Sequence, residues 1–138
     1  MVVFLDTSSL LKRYVEERGS DQVDRFFVSG NAICISPITP IEMYSALCRK
    51  VADRSIDQET FDKAQRYWGQ DIRHYSIVPF SEILVERAIS IIEAHNIRTL
   101  DSIQIASASL SDPDTCITSD IAMSKVLEKV LVGRTLVV

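Results

Sequence analysis

The sequence predicts a layered α/β fold built on a parallel sheet, and three observations lead there. Short apolar, β-branched runs alternate along the chain with longer stretches of helical periodicity. Those runs are continuous enough to read as strands covered on both faces. No internal repeat, low-complexity tract or Pro/Gly-rich linker divides the 138 residues. One domain over residues 1–138 is therefore expected, of a size for which one hydrophobic core suffices.

The elements follow in order. Val2 to Leu5 is the first strand, closed by Asp6. Ser9 to Glu16 and Asp21 to Val28 have helical spacing, with Ser20 set to cap the second of them. Ala32 to Ser36 is the second strand, and Thr39-Pro40 opens a helix from Pro40 to Ala52. Gln58 to His74 is helical, Ser76 to Val78 is a short strand, and Ser81 precedes a helix from Glu82 to His95. A helix from Ser102 to Leu110 ends at the turn-prone Ser111-Asp112-Pro113-Asp114. A strand from Thr115 to Thr118, a helix from Ile121 to Val130 and a strand from Thr135 to Val138 complete the chain.

Charge and cysteine usage narrow the function. A formal net charge of −4 argues against broad, tight binding to phosphate backbones, which needs many Lys and Arg contacts. A nucleic-acid substrate would require cations to help. The three cysteines, Cys34, Cys48 and Cys116, form no CxxC pair, so neither a disulfide nor a zinc site is expected. The apolar run before Asp6 has no basic leader and is too short to span a bilayer, and a soluble, cytoplasmic protein is expected.

Most acidic residues have a plain explanation. Asp21 and Arg25, Glu59 and Lys63, and Asp62 and Arg66 are spaced i, i+4, as surface helical ion pairs would be. Asp6, Glu42, Asp101 and Asp120 lack such a partner. Taken singly, Asp120 and Asp101 could be helix caps, and Glu42 could complement a helix dipole. Taken together they fall where open parallel sheets bind ligands, beyond the carboxyl ends of the strands. Asp101 also sits in Leu100-Asp101-Ser102-Ile103-Gln104-Ile105-Ala106, an apolar helix in which an unpaired carboxylate is costly. Acids converging to about 5 Å repel by about 3 kcal/mol per pair at an effective dielectric of about 20, so the cluster calls for one or two bound divalent cations. Oxygen ligands without neighbouring His or Cys suit magnesium or manganese. His74 and His95 fall near helix ends and read as capping or surface residues.

Four segments resemble, in order and approximate spacing, the acidic motifs of PIN-domain ribonucleases, with the VapC-type toxins of toxin–antitoxin pairs as the nearest likeness. They are Phe4-Leu5-Asp6-Thr7-Ser8-Ser9-Leu10, Pro40-Ile41-Glu42, Leu100-Asp101-Ser102-Ile103-Gln104-Ile105-Ala106 and Thr118-Ser119-Asp120. The resemblance covers essentially the whole chain. It implies a three-layer α/β/α sandwich around a mostly parallel sheet, Mg2+- or Mn2+-dependent cleavage of RNA, homodimers and inhibition by an antitoxin. Carried over by position, it makes Asp6, Glu42, Asp101 and Asp120 the metal-site acids, with Thr118 as an accessory hydroxyl. Ser8 stands where many relatives carry Asn, and Met123 where many carry a further acid.

The expected chemistry is metal-assisted hydrolysis, with Asp6 and Asp101 coordinating directly and Asp120 and Glu42 completing the ligation or orienting water. Arg49, Lys50, Lys12 and Arg13 are the candidate bases for guiding RNA, Arg49 lying seven residues from Glu42 on one helix face. Tyr14, Phe26, Phe27, Tyr44 and Trp68 are expected mainly in the core, with some free to form a groove for an antitoxin helix. A magnesium-dependent phosphatase would want a second Asp where Ser8 stands. A phosphoacceptor receiver would want paired early acids and a Lys closing a late strand, which here ends Thr118-Ser119-Asp120. A non-catalytic PIN-like scaffold or binding protein is the remaining alternative.

Overall fold

The first strand, β1 (Val2–Leu5), lies at the centre of the sheet, where an all-apolar segment is covered from both sides. Beside it run β2 (Ala32–Ile35) and, beyond that, β3 (Ser76–Ile77). On its other side run β4 (Thr115–Thr118) and then β5 (Thr135–Val137), and every neighbouring pair is parallel. This computed structural model describes residues 1–28 and 30–138.

The connections explain the layers. The chain steps outward from β1 to β2 to β3, then returns across β1 to β4 and steps outward again to β5. Right-handed crossovers taken in opposite directions put their helices on opposite faces of a sheet. One face carries α1 (Thr7–Leu10) with the 3-10 turn Leu11–Arg13, α2 (Ser20–Val28), α3 (Thr39–Ala52) and α4 (Gln58–Asp71). The other carries α5 (Glu82–His95), α6 (Thr99–Ser111) and α7 (Ile121–Val130). The result is a three-layer α/β/α sandwich.

Strand side chains alternate between the two faces. Val3, Leu5, Ile33, Ile35 and Ile117 pack against Leu10, Val23, Met43, Leu47 and Trp68. Phe4, Cys34 and Cys116 pack against Leu84, Ile91, Ile105 and Leu127. The single core expected from chain length is thus two cores sharing one sheet. Cys34 and Cys116 are buried free thiols and Cys48 is exposed; burial pushes the Cys116 thiol up. No helix among the described residues is long and apolar enough to cross a membrane.

Several local expectations are corrected. β3 and β5 are edge strands with exposed residues, not strands covered on both faces, because only the middle of a sheet has neighbours on each side. The helix expected from Ser9 to Glu16 starts at Thr7, tightens at Leu11 and ends at Arg13. The helix expected from Gln58 to His74 likewise tightens after Asp71 into the 3-10 turn Ile72–His74. Ser20 does not cap α2; its hydroxyl donates to the Val15 carbonyl and accepts from the Glu17 N–H. Ser81 does cap α5, accepting from the Leu84 N–H at 3.3 Å. Of the predicted surface ion pairs, none closes among the described residues: Lys63 and Arg66 lie over the Tyr67 ring, and Asp62 accepts from Gln58. Helical i, i+4 spacing permits such pairs, but their small energies yield to any nearby ring or amide.

Candidate active site

Asp6 follows β1 and Asp120 follows β4, two adjacent strands from which the chain departs to opposite faces. Such a divergence opens a crevice at the carboxyl ends of the strands. The Asp6 carboxylate, only 2% exposed, is fixed from three directions. The Ser8 hydroxyl lies 2.8 Å from both its oxygens, the Ser9 N–H donates to Oδ1 at 2.8 Å, and the Thr118 hydroxyl donates to Oδ2 at 2.6 Å. Burial pushes its carboxyl above the usual range, and these hydrogen bonds oppose the rise. Although a Ser side chain is shorter than Asn, Ser8 reaches the acid because both belong to the tight turn opening α1.

The same hydroxyls tie the two strand ends together. Thr118 Oγ1 accepts from the Asp120 N–H at 3.0 Å, and Ser8 Oγ accepts from the Ser119 N–H at 3.1 Å. Asp120 then caps α7, its Oδ1 accepting from the Met123 N–H at 2.9 Å. Asp120 therefore has a capping role whatever else it does.

Glu42 enters from the first turn of α3. Its Oε1 accepts from the Thr7 hydroxyl at 2.9 Å and from Gln104 Nε2 at 2.6 Å. Gln104 comes from α6 and also lies 2.9 Å from Thr7 Oγ1 and 3.2 Å from Thr39 Oγ1. Its own Oε1 is buried without a partner, an arrangement that costs about 1–3 kcal/mol for a buried acceptor. Asp101 lies in the first turn of α6 and is half-buried, less enclosed than its apolar surroundings in sequence implied. Burial pushes its carboxyl up, the Asp120 charge adds to the rise, and Arg98 opposes it.

All four acids line one cleft of about 250 Å³, together with Ser8, Gln104, Met123 and Arg49. A wider depression of about 450 Å³ beside Val2, Ala32 and Ser76 has no acidic residue in its lining. Among the described residues no three acids, histidines or cysteines are gathered closely enough to enclose an ion. The fit to a divalent cation is therefore one of donor chemistry: carboxylate oxygens only, two of them on acids whose environment disfavours their charge. A hard ion that keeps part of its water suits such open spacing. His74 and His95 lie away from the cleft, in the turn Ile72–His74 and the last turn of α5.

The candidate bases separate. Arg49 lines the cleft and donates to Ser45 Oγ at 2.7 Å. Lys50 pairs with Glu17, Arg13 pairs with Asp24 at 2.9 Å over the Phe27 ring, and Lys12 donates to the Val138 backbone oxygen. Of the apolar candidates, Trp68 is buried, Tyr14, Phe26 and Phe27 are half-buried against the core, and Tyr44 is exposed and stacked edge-on with Phe61. Thr7, Thr39 and Gln104 had not been singled out from sequence. The available signal was Gln104 itself, a polar residue between Ile103 and Ile105 in a run that packing would otherwise make apolar.

Residues 3–129 match the family described as PIN domain. Similar solved structures include a toxin–antitoxin complex from Klebsiella pneumoniae, 18% identical, covering 97% of this chain and 95% of that one at a TM-score of 0.66. VapBC2 from Rickettsia felis bound to a DNA fragment from their promoter is 15% identical over 91% and 93%, at 0.65. VapC20 from Mycobacterium tuberculosis, a sarcin-ricin loop cleaving toxin, is 16% identical over 89% and 93%, at 0.66. At these identities the likeness is one of fold. No curated protein matches the chain.

Proposed function

The chain belongs to the PIN domain family, and from that premise we propose that it is a divalent-cation-dependent endoribonuclease and the VapC-type toxin of a toxin–antitoxin pair. The observation that carries the reading is the convergence of Asp6, Glu42, Asp101 and Asp120 on one cleft at the carboxyl ends of β1 and β4. One solved structure of the same fold is described as a toxin–antitoxin complex and another as a toxin cleaving the sarcin-ricin loop, which supports RNA as substrate class and an antitoxin as partner.

Asp6, Glu42, Asp101 and Asp120 would hold Mg2+ or Mn2+, which when bound supplies positive charge beside the phosphate and makes a water more acidic. Thr118, Ser8 and the Ser9 N–H keep Asp6 in one pose. Thr7 and Gln104 do the same for Glu42. Both cleft hydroxyls, on Thr7 and Ser8, are committed as donors to carboxylates, so neither is set to attack and the hydrolytic oxygen comes from water. Arg49, in the lining of the cleft, would meet a phosphate adjacent to the scissile one. The protein would act as one domain in the cytoplasm, as a homodimer; the exposed Phe80 with Val85 and Ile89 of α5 offer an apolar face for self-association.

Mapping of new RNA ends tests the reading: total cellular RNA is incubated with antitoxin-free protein and Mg2+ or Mn2+, beside an Asp6→Asn variant and a chelator control. The expected result is a set of ends that disappears with the variant and with the chelator, while the variant stays folded. Identical maps for wild type and variant would reject catalysis. The second reading, a PIN-like scaffold without chemistry, draws on the absence of any three closely gathered ligand side chains among the described residues. A scaffold would bind Mn2+ poorly, or bind it and leave RNA uncut.

A further inference from the structure

We propose that Gln104 is a positioning residue of this cleft: it orients Glu42 so that one carboxylate oxygen is saturated by protein donors and the other is left for the cation or its water. The proposal rests on the metal-dependent reading above.

Three observations carry it. Gln104 is 2% exposed, and the two protons of its Nε2 face three oxygens, from Thr7, Thr39 and Glu42, on two other elements. The shortest of the three contacts, 2.6 Å, is to Glu42 Oε1, as a hydrogen bond to a charged acceptor would be. Turning the amide over would set its carbonyl oxygen against that carboxylate oxygen, so Glu42 dictates the amide orientation and the amide in turn fixes Glu42. Second, that orientation leaves Gln104 Oε1 buried and unpartnered. A residue serving only the core would not need this, since its α6 neighbours Ile105, Ala106 and Ala108 are fully buried and apolar. Third, Thr7 also donates to Oε1, whereas Oε2 has no hydrogen-bond partner among the described residues. Two donors on the same oxygen leave Glu42 one free face.

The test uses the full chain in four forms: wild type, Gln104→Leu, Glu42→Ala and the double variant, each titrated with Mn2+ and read by electron paramagnetic resonance of the free ion. Gln104→Leu is expected to weaken Mn2+ binding about tenfold, as loss of an outer hydrogen bond to a ligand does. The double variant is expected to bind no more weakly than Glu42→Ala alone, because Gln104 acts through Glu42. Losses that multiply, or wild-type affinity in Gln104→Leu, overturn the proposal. If Gln104→Leu does not fold, Thr7→Val removes the other donor from a half-buried position and repeats the comparison.

A cation-free measurement separates this proposal from the reading beneath it. The Gln104 side-chain amide protons are expected downfield and slow to exchange in wild type, and shifted back with fast exchange in Glu42→Ala. Unprotected protons in a wild type that still binds Mn2+ overturn the positioning role and leave the metal reading intact. Protected protons in a wild type that binds no Mn2+ overturn the metal reading and reduce Gln104 to a structural clamp.

Discussion

Asp6 shows what the site asks of a single residue. It is buried and, among the described residues, bonded only to hydroxyls and a backbone N–H, with no base against it. Asp101 shares the strain through its burial, with the Asp120 charge adding to it. A carboxyl held above its ordinary pKa binds its proton more tightly in the folded chain than in the unfolded one. Its effect is to make stability fall as pH rises from the ordinary carboxylate range through the raised value. In chelator, the urea midpoint of the wild type should therefore decline across that window. Asp101→Asn should match wild type below the window and exceed it above. Identical profiles would show that Asp101 carries no such strain, and added Mn2+ should restore the wild type if the acids hold it.

At the level of the element, α7 and α3 each combine structure with site. Asp120 caps α7 and lines the cleft, so its two roles can be separated by substitution. Asn is a competent cap, Ala is not, and loss of a cap costs about 1 kcal/mol. Asp120→Asn should keep the melting temperature and lose RNA cleavage, whereas Asp120→Ala should lose both. Equal melting temperatures for the two variants would mean that the cap carries no stability. Helix α3 places Glu42 and Arg49 in the same cleft, seven residues apart, while Lys50, one position further, turns away to pair with Glu17. Arg49→Ala should weaken RNA binding and leave Mn2+ affinity unchanged; a change in Mn2+ affinity would place Arg49 in the ligand framework instead.

The whole molecule carries a net charge of −4 and presents one of its four candidate bases to the cleft. Its RNA affinity should consequently depend weakly on monovalent salt. Each phosphate contact to a single strand contributes a slope of about −0.7, or about a threefold loss between 50 and 200 mM salt. A measured loss near threefold fits a site in which the cation does most of the phosphate binding. A loss of about a thousandfold would require a basic track elsewhere on the surface. The two cores on either side of the sheet also make the fold sensitive from both faces: Leu47→Ala on one and Leu127→Ala on the other should each cost about 2–5 kcal/mol in chemical unfolding.

Sequence by itself determined most element types and the parallel α/β class, and it singled out the four acids that line one cleft, because an apolar run and an acid at its end are both visible locally. An apolar run such as Val2–Leu5 is a strand wherever it is covered, and an Asp at its end needs no distant partner to be noticed. Which strands lie at the edge, and which polar residues meet, came only with the tertiary structure. β3 and β5 read like the central strands but have a neighbour on one side only. Thr118 meets Asp6 across 112 positions, and Gln104 meets Glu42 across 62. The predicted i, i+4 ion pairs failed for the converse reason, since a spacing that permits a weak contact does not select it over the rings and amides that folding brings nearby. Gln104 is a polar residue out of place in its run of sequence; only the hydrogen bonds that join α6, on one face of the sheet, to α1 and α3, on the other, decided that it faces a carboxylate, because long-range geometry is set by the sheet order and not by any local pattern.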